Sequence, residues 1–306
     1  MRIGIMIGAT GAGGGISDIV EQARTVESSG FDNLWMANIF SFDAISALTL
    51  AGWETTRIGL GTAVTPTYPR HPTAIAQQAL TAAAASGNRF SLGIGLSHRI
   101  VIENMLGFSY DKPARHMREY LQVLGPLVRG ETASFQGEEY RVNGVALQVP
   151  GAHRVPIIVA ALGPVMLKLA GELADGTTTW MVGPKTMEGH VVRTIVRAAE
   201  AARRPSPTIV GGFPVVLTNK PDEARDAIAK TLAIYGQLPS YRAMLDREGA
   251  AGPADIALAG DEATLRGAIQ RIAGTGVTDF NAAIADPDPE VYRRTFEFLA
   301  SLAAGK

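Results

Sequence analysis

Cysteine is absent from all 306 residues. That excludes disulfides, thiolate metal sites and cysteine nucleophiles, and it is compatible with a reducing cytoplasm, the expected compartment. An excess of either charge is also missing. The 28 Lys and Arg stand against 29 Asp and Glu, a formal net charge of −1, and no long basic run occurs. Electrostatics therefore give no case for nucleic acid or a membrane surface as a partner, and a small molecule is expected instead. Long hydrophobic runs are lacking too. The longest uncharged helical stretch, TAIAQQALTAAAASGN at 73–88, is too polar and too short to span a bilayer. The opening MRIGIMIGATGAGGG has an apolar run only from Ile3 to Ile7, broken by Gly4. That is shorter than a secretory hydrophobic segment and reads as a first buried strand.

Standard site motifs are missing as well. GATGAGGG (8–15) lacks the Gly-Lys-Ser/Thr ending of a P-loop, and GIGLSH (93–98) lacks the third glycine of a dinucleotide fingerprint. No Gly-x-Ser-x-Gly elbow occurs, and His71, His98, His116, His153 and His190 include no i, i+4 metal pair. Hydrolase and metalloenzyme readings gain no support, and no metal is expected. His116, in RHMREYL, reads as a helix-surface group, and His190 likewise. His71 precedes Pro72, a first helical residue, and reads as loop packing. His98 alone stands where a strand end would place chemistry.

What the chain does have is 46% hydrophobic residues, 34 Gly and 17 Pro, enough for one sizeable core and many tight loops. Short apolar runs alternate with amphipathic helical stretches. The runs predict strands at 2–8, 33–37, 58–64, 89–95, 155–161, 176–182, 208–217 and 277–284. SDIVEQARTVESSG (17–30) predicts a helix that Ser17 can cap and Gly30 can end. Runs apolar on both faces and separated by helices imply parallel strands covered by helices. Eight such units favour an α/β fold of the (β/α)8 TIM-barrel type, which commonly uses about 250 residues, over an open doubly wound sheet. Two stretches interrupt the rhythm. Residues 134–149 predict a β-hairpin turning at Asn143-Gly144, and about 236–258 form a second, helical or loop insertion. No linker separates domains, so residues 1–306 are expected to form a single one.

In such a barrel, chemistry belongs at the C-terminal strand ends. These carry Gly8-Ala9-Thr10, Asn38, Thr62-Ala63-Val64-Thr65, Gly95-Leu96-Ser97-His98, Ala161-Leu162-Gly163-Pro164 and Trp180-Met181. The set is short on charge and rich in small residues, which suits a flat apolar ring of the flavin kind better than an acid pair or a metal cage. Gly163-Pro164 opens a helix directly after a strand, and its free N–H groups would suit an anion. Ordinary loop grammar explains the same pattern. Lys185 could add charge to that anion or be a solvated surface lysine.

GFDNLWMAN (30–38), GLGTAVTPTYPRHP (59–72), FSLGIGLSH (90–98) and VPIIVAALGPVMLKLAGELADG (155–176) together resemble the luciferase-like monooxygenase superfamily. Within it, they resemble the coenzyme F420-dependent oxidoreductases. The likeness runs over nearly the whole chain. It implies a (β/α)8 barrel binding a deazaflavin, or FMN in other branches, at the strand ends, and it suggests a homodimer. By position, Ala63-Val64 matches a non-prolyl cis peptide that supports the ring. Thr65 and the backbone around Gly95, Ser97 and His98 resemble ring-contacting positions, and Gly8, Asn38 and Thr62, at the strand ends, are further cofactor-binding candidates. Ala161, Leu162, Gly163 and Pro164 match a phosphate cradle, with Lys185, and more weakly Arg242, as tail contacts. His98 and Asn38 are the catalytic candidates. Asn38-Ile39 stands where the sugar-phosphate and alcohol dehydrogenases have Asp-His, and His98 where the sugar-phosphate enzyme has Glu, so that dehydrogenase activity is not expected. His98 could protonate a substrate after hydride transfer, or only hydrogen-bond the ring or the loop. The expected function is hydride transfer from reduced F420 to an unsaturated or carbonyl-containing small molecule. An FMN-dependent monooxygenase and a non-catalytic ligand-binding barrel are the alternatives.

Overall fold

The computed structural model describes residues 1–8 and 14–305; Ala9 and Thr10 lie outside the described residues. In chain order the strands are β1 (Arg2–Ile7), β2 (Asn33–Met36), β3 (Gly59–Thr62), β4 (Thr65–Pro66), β5 (Phe90–Gly95), β6 (Ala133–Gln136), β7 (Arg141–Val145), β8 (Ile157–Ala160), β9 (Gly176–Trp180), β10 (Thr208–Leu217), β11 (Leu258–Gly260) and β12 (Asp279–Ile284). Parallel pairing runs β1–β2–β3–β5–β8–β9–β10–β12 and returns to β1, which closes an eight-stranded barrel. All eight predicted strands are present, with ends within two residues of those read from the sequence. Short β4 pairs with β5, and β11 extends the sheet beside the long β10.

The helices α1 (Ile16–Ser28), α2 (Ala44–Trp53), α3 (Pro72–Ala85), α4 (Pro113–Val128), α5 (Pro164–Leu173), α6 (Pro184–Thr186), α7 (Arg193–Ala201), α8 (Pro221–Thr231), α9 (Pro239–Glu248), α10 (Glu262–Ala273) and α11 (Pro289–Ala304) connect the strands. Seven of them begin with proline, which has no N–H to lose in the first turn. Asp43, Asp261 and Asp288 cap α2, α10 and α11 through backbone amides. At α1 the cap differs from expectation. Gly15 takes the N-cap position and the Asp18 carboxylate accepts its N–H at 2.8 Å, so Ser17 falls inside the helix. Gly30 follows the helix in the left-handed region, φ 87°.

The large core fills the space between barrel and helices. Trp35, Ile158 and Val210, with Ala63 packed against them, form a separate cluster. Arg2 and Asn33 hold buried Asp279 at 2.7 and 2.9 Å, near the N-terminal strand ends, which leaves the C-terminal ends for a site.

The hairpin occupies β6 and β7 but turns at residues 137–140, not at Asn143-Gly144. The cause is a remote carboxylate. Glu119, on α4, accepts the N–H groups of Glu138, Glu139 and Tyr140 at 3.1, 2.7 and 3.0 Å and so fixes the turn. Gly144 sits in the return strand at φ 65°, opposite a register shift, and its N–H bonds Ser134 Oγ. The second interruption contains α9 and a short 3-10 turn, Pro253–Asp255.

Candidate active site

A cavity of about 540 Å³ opens where the C-terminal ends of β2, β3, β5, β8 and β9 meet, within the range usual for small-molecule sites. Asn38, Ala63, Val64, Gly95, Ser97, His98, Ala161, Leu162 and Gly163 all line it. The structure thus brings together residues more than a hundred positions apart.

Its floor is built by close packing. The Ala63-Val64 peptide is cis, and Val64 lies over β5. A Cβ on Gly93 would fall 1.8 Å from the Thr62 carbonyl oxygen, and one on Gly95 would fall 2.6 Å from Val64 Cγ2. These two glycines therefore make room for the protein's own 62–64 segment. Thr62 ties that segment down, since its Oγ1 donates to the Gly93 carbonyl at 2.6 Å and accepts the Gly93 N–H at 2.9 Å.

Beyond β5 the chain turns at Ser97, φ 60°, an uncommon conformation for a residue with a side chain. The Tyr110 hydroxyl donates to the Ser97 carbonyl at 3.3 Å. His98 lies against Tyr235, just ahead of the second insertion, and Tyr241, within it, at ring separations of 6.2 and 6.0 Å. Burial holds its imidazole below the ordinary value, because charging it would cost hydration. Burial likewise pushes the phenols of Tyr235, Tyr241 and Tyr110 up, so all three remain hydroxyl donors.

Among the described lining residues there is no carboxylate, and Arg70 is the one arginine or lysine. Arg70 pairs with Asp43, the cap of α2. Asn38 accepts the Ala44 N–H at 3.0 Å, which fixes the entry to the same helix.

Several expected residues stand apart from the lining. Thr62 and Thr65 are fully buried behind it, and Thr65 Oγ1 has no hydrogen-bond partner in the structure. Gly8 and Pro164 do not line it, although Pro164 is the first residue of α5 behind Gly163. Lys185 is exposed and outside the cavity. The helix start beside it is already satisfied, since Glu248 of α9 accepts the N–H groups of Lys185 and Thr186 at 3.2 and 2.7 Å. The start of α5 has no side-chain cap. Arg242 is likewise committed, to Asp246 and to the carbonyls of Ala250 and Ala251 at 2.8, 2.7 and 2.8 Å.

Two histidines read as surface groups prove to be structural. His190 Nε2 donates to the Leu162 carbonyl at 2.7 Å and so braces the cavity segment 161–163. His116 is only 5% exposed. It stacks on Tyr68 at 3.9 Å and bonds Thr67 Oγ1 at 2.9 Å, and Tyr68 stacks in turn on Tyr110. His71 caps α3, its Nδ1 accepting the Thr73 N–H. Sequence reasoning missed Arg70, Tyr110, Tyr235 and Tyr241. Arg70 lay within the quoted TPTYPRHP, whereas Tyr235 and Tyr241 carried no motif that would have singled them out.

A closed parallel barrel with a cavity at the C-terminal strand ends is the architecture of an enzyme whose site is built from its loops. The model of the family described as luciferase-like monooxygenase matches residues 1–303, and the chain belongs to that family. It is an oxidoreductase by kinship. A 5,10-methylenetetrahydromethanopterin reductase of Methanolobus tindarius is 29% identical over 262 residues, covering 85% of this chain and 79% of the relative. The coenzyme F420-dependent tetrahydromethanopterin reductase of Methanopyrus kandleri superposes with a TM-score of 0.80 at 22% identity, over 98% of this chain and 97% of that one. The oxygenating constituent of 3,6-diketocamphane monooxygenase from Pseudomonas putida, in complex with FMN, gives 0.77 at 15% identity, over 100% and 98%. At such identities these two likenesses define the fold.

Proposed function

We propose that the protein is an F420-dependent reductase that acts on an unsaturated or carbonyl-containing small molecule. The observation that carries the reading is the composition of the cavity: small and apolar groups on its floor, no carboxylate among the described lining residues, and the uncapped start of α5 at one edge. That donor set fits a flat ring with an anionic tail. The reductase of M. tindarius supports the same direction.

Bound in its reduced form, F420 supplies the hydride. Ala63 and Val64 would support its ring, and the backbone of Gly95 to Ser97 would border it. The N–H groups of α5 that follow Gly163 would hold its anionic tail, with the 161–162 segment braced by the His190 bond to the Leu162 carbonyl. His98 holds a proton on an imidazole nitrogen and delivers it to the acceptor, so that hydride and proton together saturate one double bond. Tyr235 and Tyr241, which line the cavity beside His98, would shield it from water. Asn38 presents its amide to the acceptor from a position fixed by Ala44.

The FMN-bearing barrel among the fold neighbours favours a second reading, oxygen activation on FMN. The test mixes protein anaerobically with reduced F420 and a panel of enones and ketones. Oxidation of F420 matched by an equal amount of reduced acceptor supports the proposal. Turnover that needs oxygen and reduced FMN supports the second reading, and no turnover with either overturns both.

A further inference from the structure

We propose that the acceptor is an extended, uncharged and mainly apolar molecule whose hydrocarbon body lies across a rim formed by Ile39, Phe40 and Leu106. The identity of its reactive head rests on the reductase reading; the nature of its body rests on the rim.

The rim is continuous with the cavity, because Ile39, Phe40 and Leu106 line it while remaining exposed to 47, 70 and 41%. Met105 and Phe108, beside Leu106 in the chain, are 60 and 43% exposed, and Ile234, next to the lining residue Tyr235, is 57% exposed. Single exposed apolar side chains are ordinary, but large ones gathered at the mouth of one cavity mark a binding surface. Ile39 and Phe40 follow β2 and Leu106 follows β5, so two separate loops supply the rim and local sequence accident does not explain their meeting.

Charge points the same way. The α5 start is taken by the cofactor's tail in the reductase reading, and no free cation is left among the described lining residues for an anionic acceptor: Arg70 is paired with Asp43, Arg242 is held by Asp246 and two carbonyls, and Lys185 lies outside the cavity. A cationic acceptor would need a carboxylate, and none stands among the described lining residues. An apolar body asks for neither. It would cover the rim and release the water held against Phe40 and Leu106.

The test is calorimetric titration with saturated 2-alkanones of four to ten carbons, first without cofactor and then with oxidised F420 present. Buried methylenes contribute about 0.8 kcal/mol each, so Kd is expected to fall about fourfold per added carbon until the chain outgrows the rim. Phe40→Ser and Leu106→Ser are each expected to weaken the longest ketones about tenfold and to leave butanone unchanged. Leu50→Ser, on the outer face of α2, should alter neither. A series flat in chain length would overturn the proposal, as would tighter binding of keto acids than of ketones. So would Phe40→Ser changing the sedimentation coefficient with the series intact, since the rim would then be a contact between copies of the chain. Because the first titration contains no cofactor, failure of F420 to bind would leave this result readable on its own.

Discussion

Lowering the pH from 7.5 to 5.0 is expected to remove about 2 kcal/mol of folding stability through His116 alone. The ring is 5% exposed, stacked on Tyr68 and bonded to Thr67 Oγ1. Burial pulls its pKa down to about 4, and the opposing pull of Glu139 and Glu119 does not restore it. In the unfolded chain the same imidazole titrates near about 6.5. Below that pH the unfolded state takes up a proton that the native state refuses. Stability therefore starts to fall near pH 6.5 and stops falling near pH 4, with a total loss of about 3 kcal/mol. Urea unfolding of the wild type and His116→Gln across this range measures the effect. The variant is expected to be less stable at pH 7.5 but to have the shallower pH dependence. His98, also lowered by burial, contributes to both proteins and cancels in the difference. Parallel pH curves, or an NMR titration of the His116 ring with a midpoint near 6.5, would refute the reasoning.

Gly95→Ala should drive Val64 into the slot, because the new Cβ would lie 2.6 Å from Val64 Cγ2 and 3.2 Å from Ala160 Cβ. F420 binding is expected to weaken about tenfold while stability drops by only about 1–3 kcal/mol, as overpacking usually costs; unchanged affinity in a fluorescence titration would separate the Val64 ridge from the ring. For His98 the acid form is the proton donor and burial lowers its pKa. Accordingly kcat/KM for the acceptor should rise as pH falls toward and below about 6.5. His98→Gln should be slower by about a hundredfold or more, with a flat profile, and a variant that kept the wild-type profile would remove His98 from the chemistry.

The barrel was legible because each strand is a local apolar run and each helix a local amphipathic one. The prolines at 72 and 164 announced helix starts that the structure confirms. The hairpin turn was not legible, since Asn143-Gly144 satisfies turn chemistry locally while Glu119, some twenty residues away, supplies three stronger bonds elsewhere. His116 was misread from its charged neighbours. Spacing told a different story: His116, Met117, Tyr120, Leu121 and Leu124 fall on one helical face, and all five are buried. At the site, the strand-end residues could be read because strands end where apolar runs end. Arg70 on a loop, Tyr235 on a single turn and Tyr241 at the start of α9 reach the cavity through tertiary placement that no periodicity encodes. Lys185 and Arg242 carried the right charge for an anion, but Glu248 fills the helix start at one and three acceptors occupy the other.

The most direct test of the cofactor assignment is a fluorescence titration of the purified protein with oxidised F420, run beside FMN at matched concentrations. Saturable binding of F420, abolished or much weakened in Gly95→Ala, with little response to FMN, is the result this account expects. Preferential binding of FMN, or no binding of either, would contradict it.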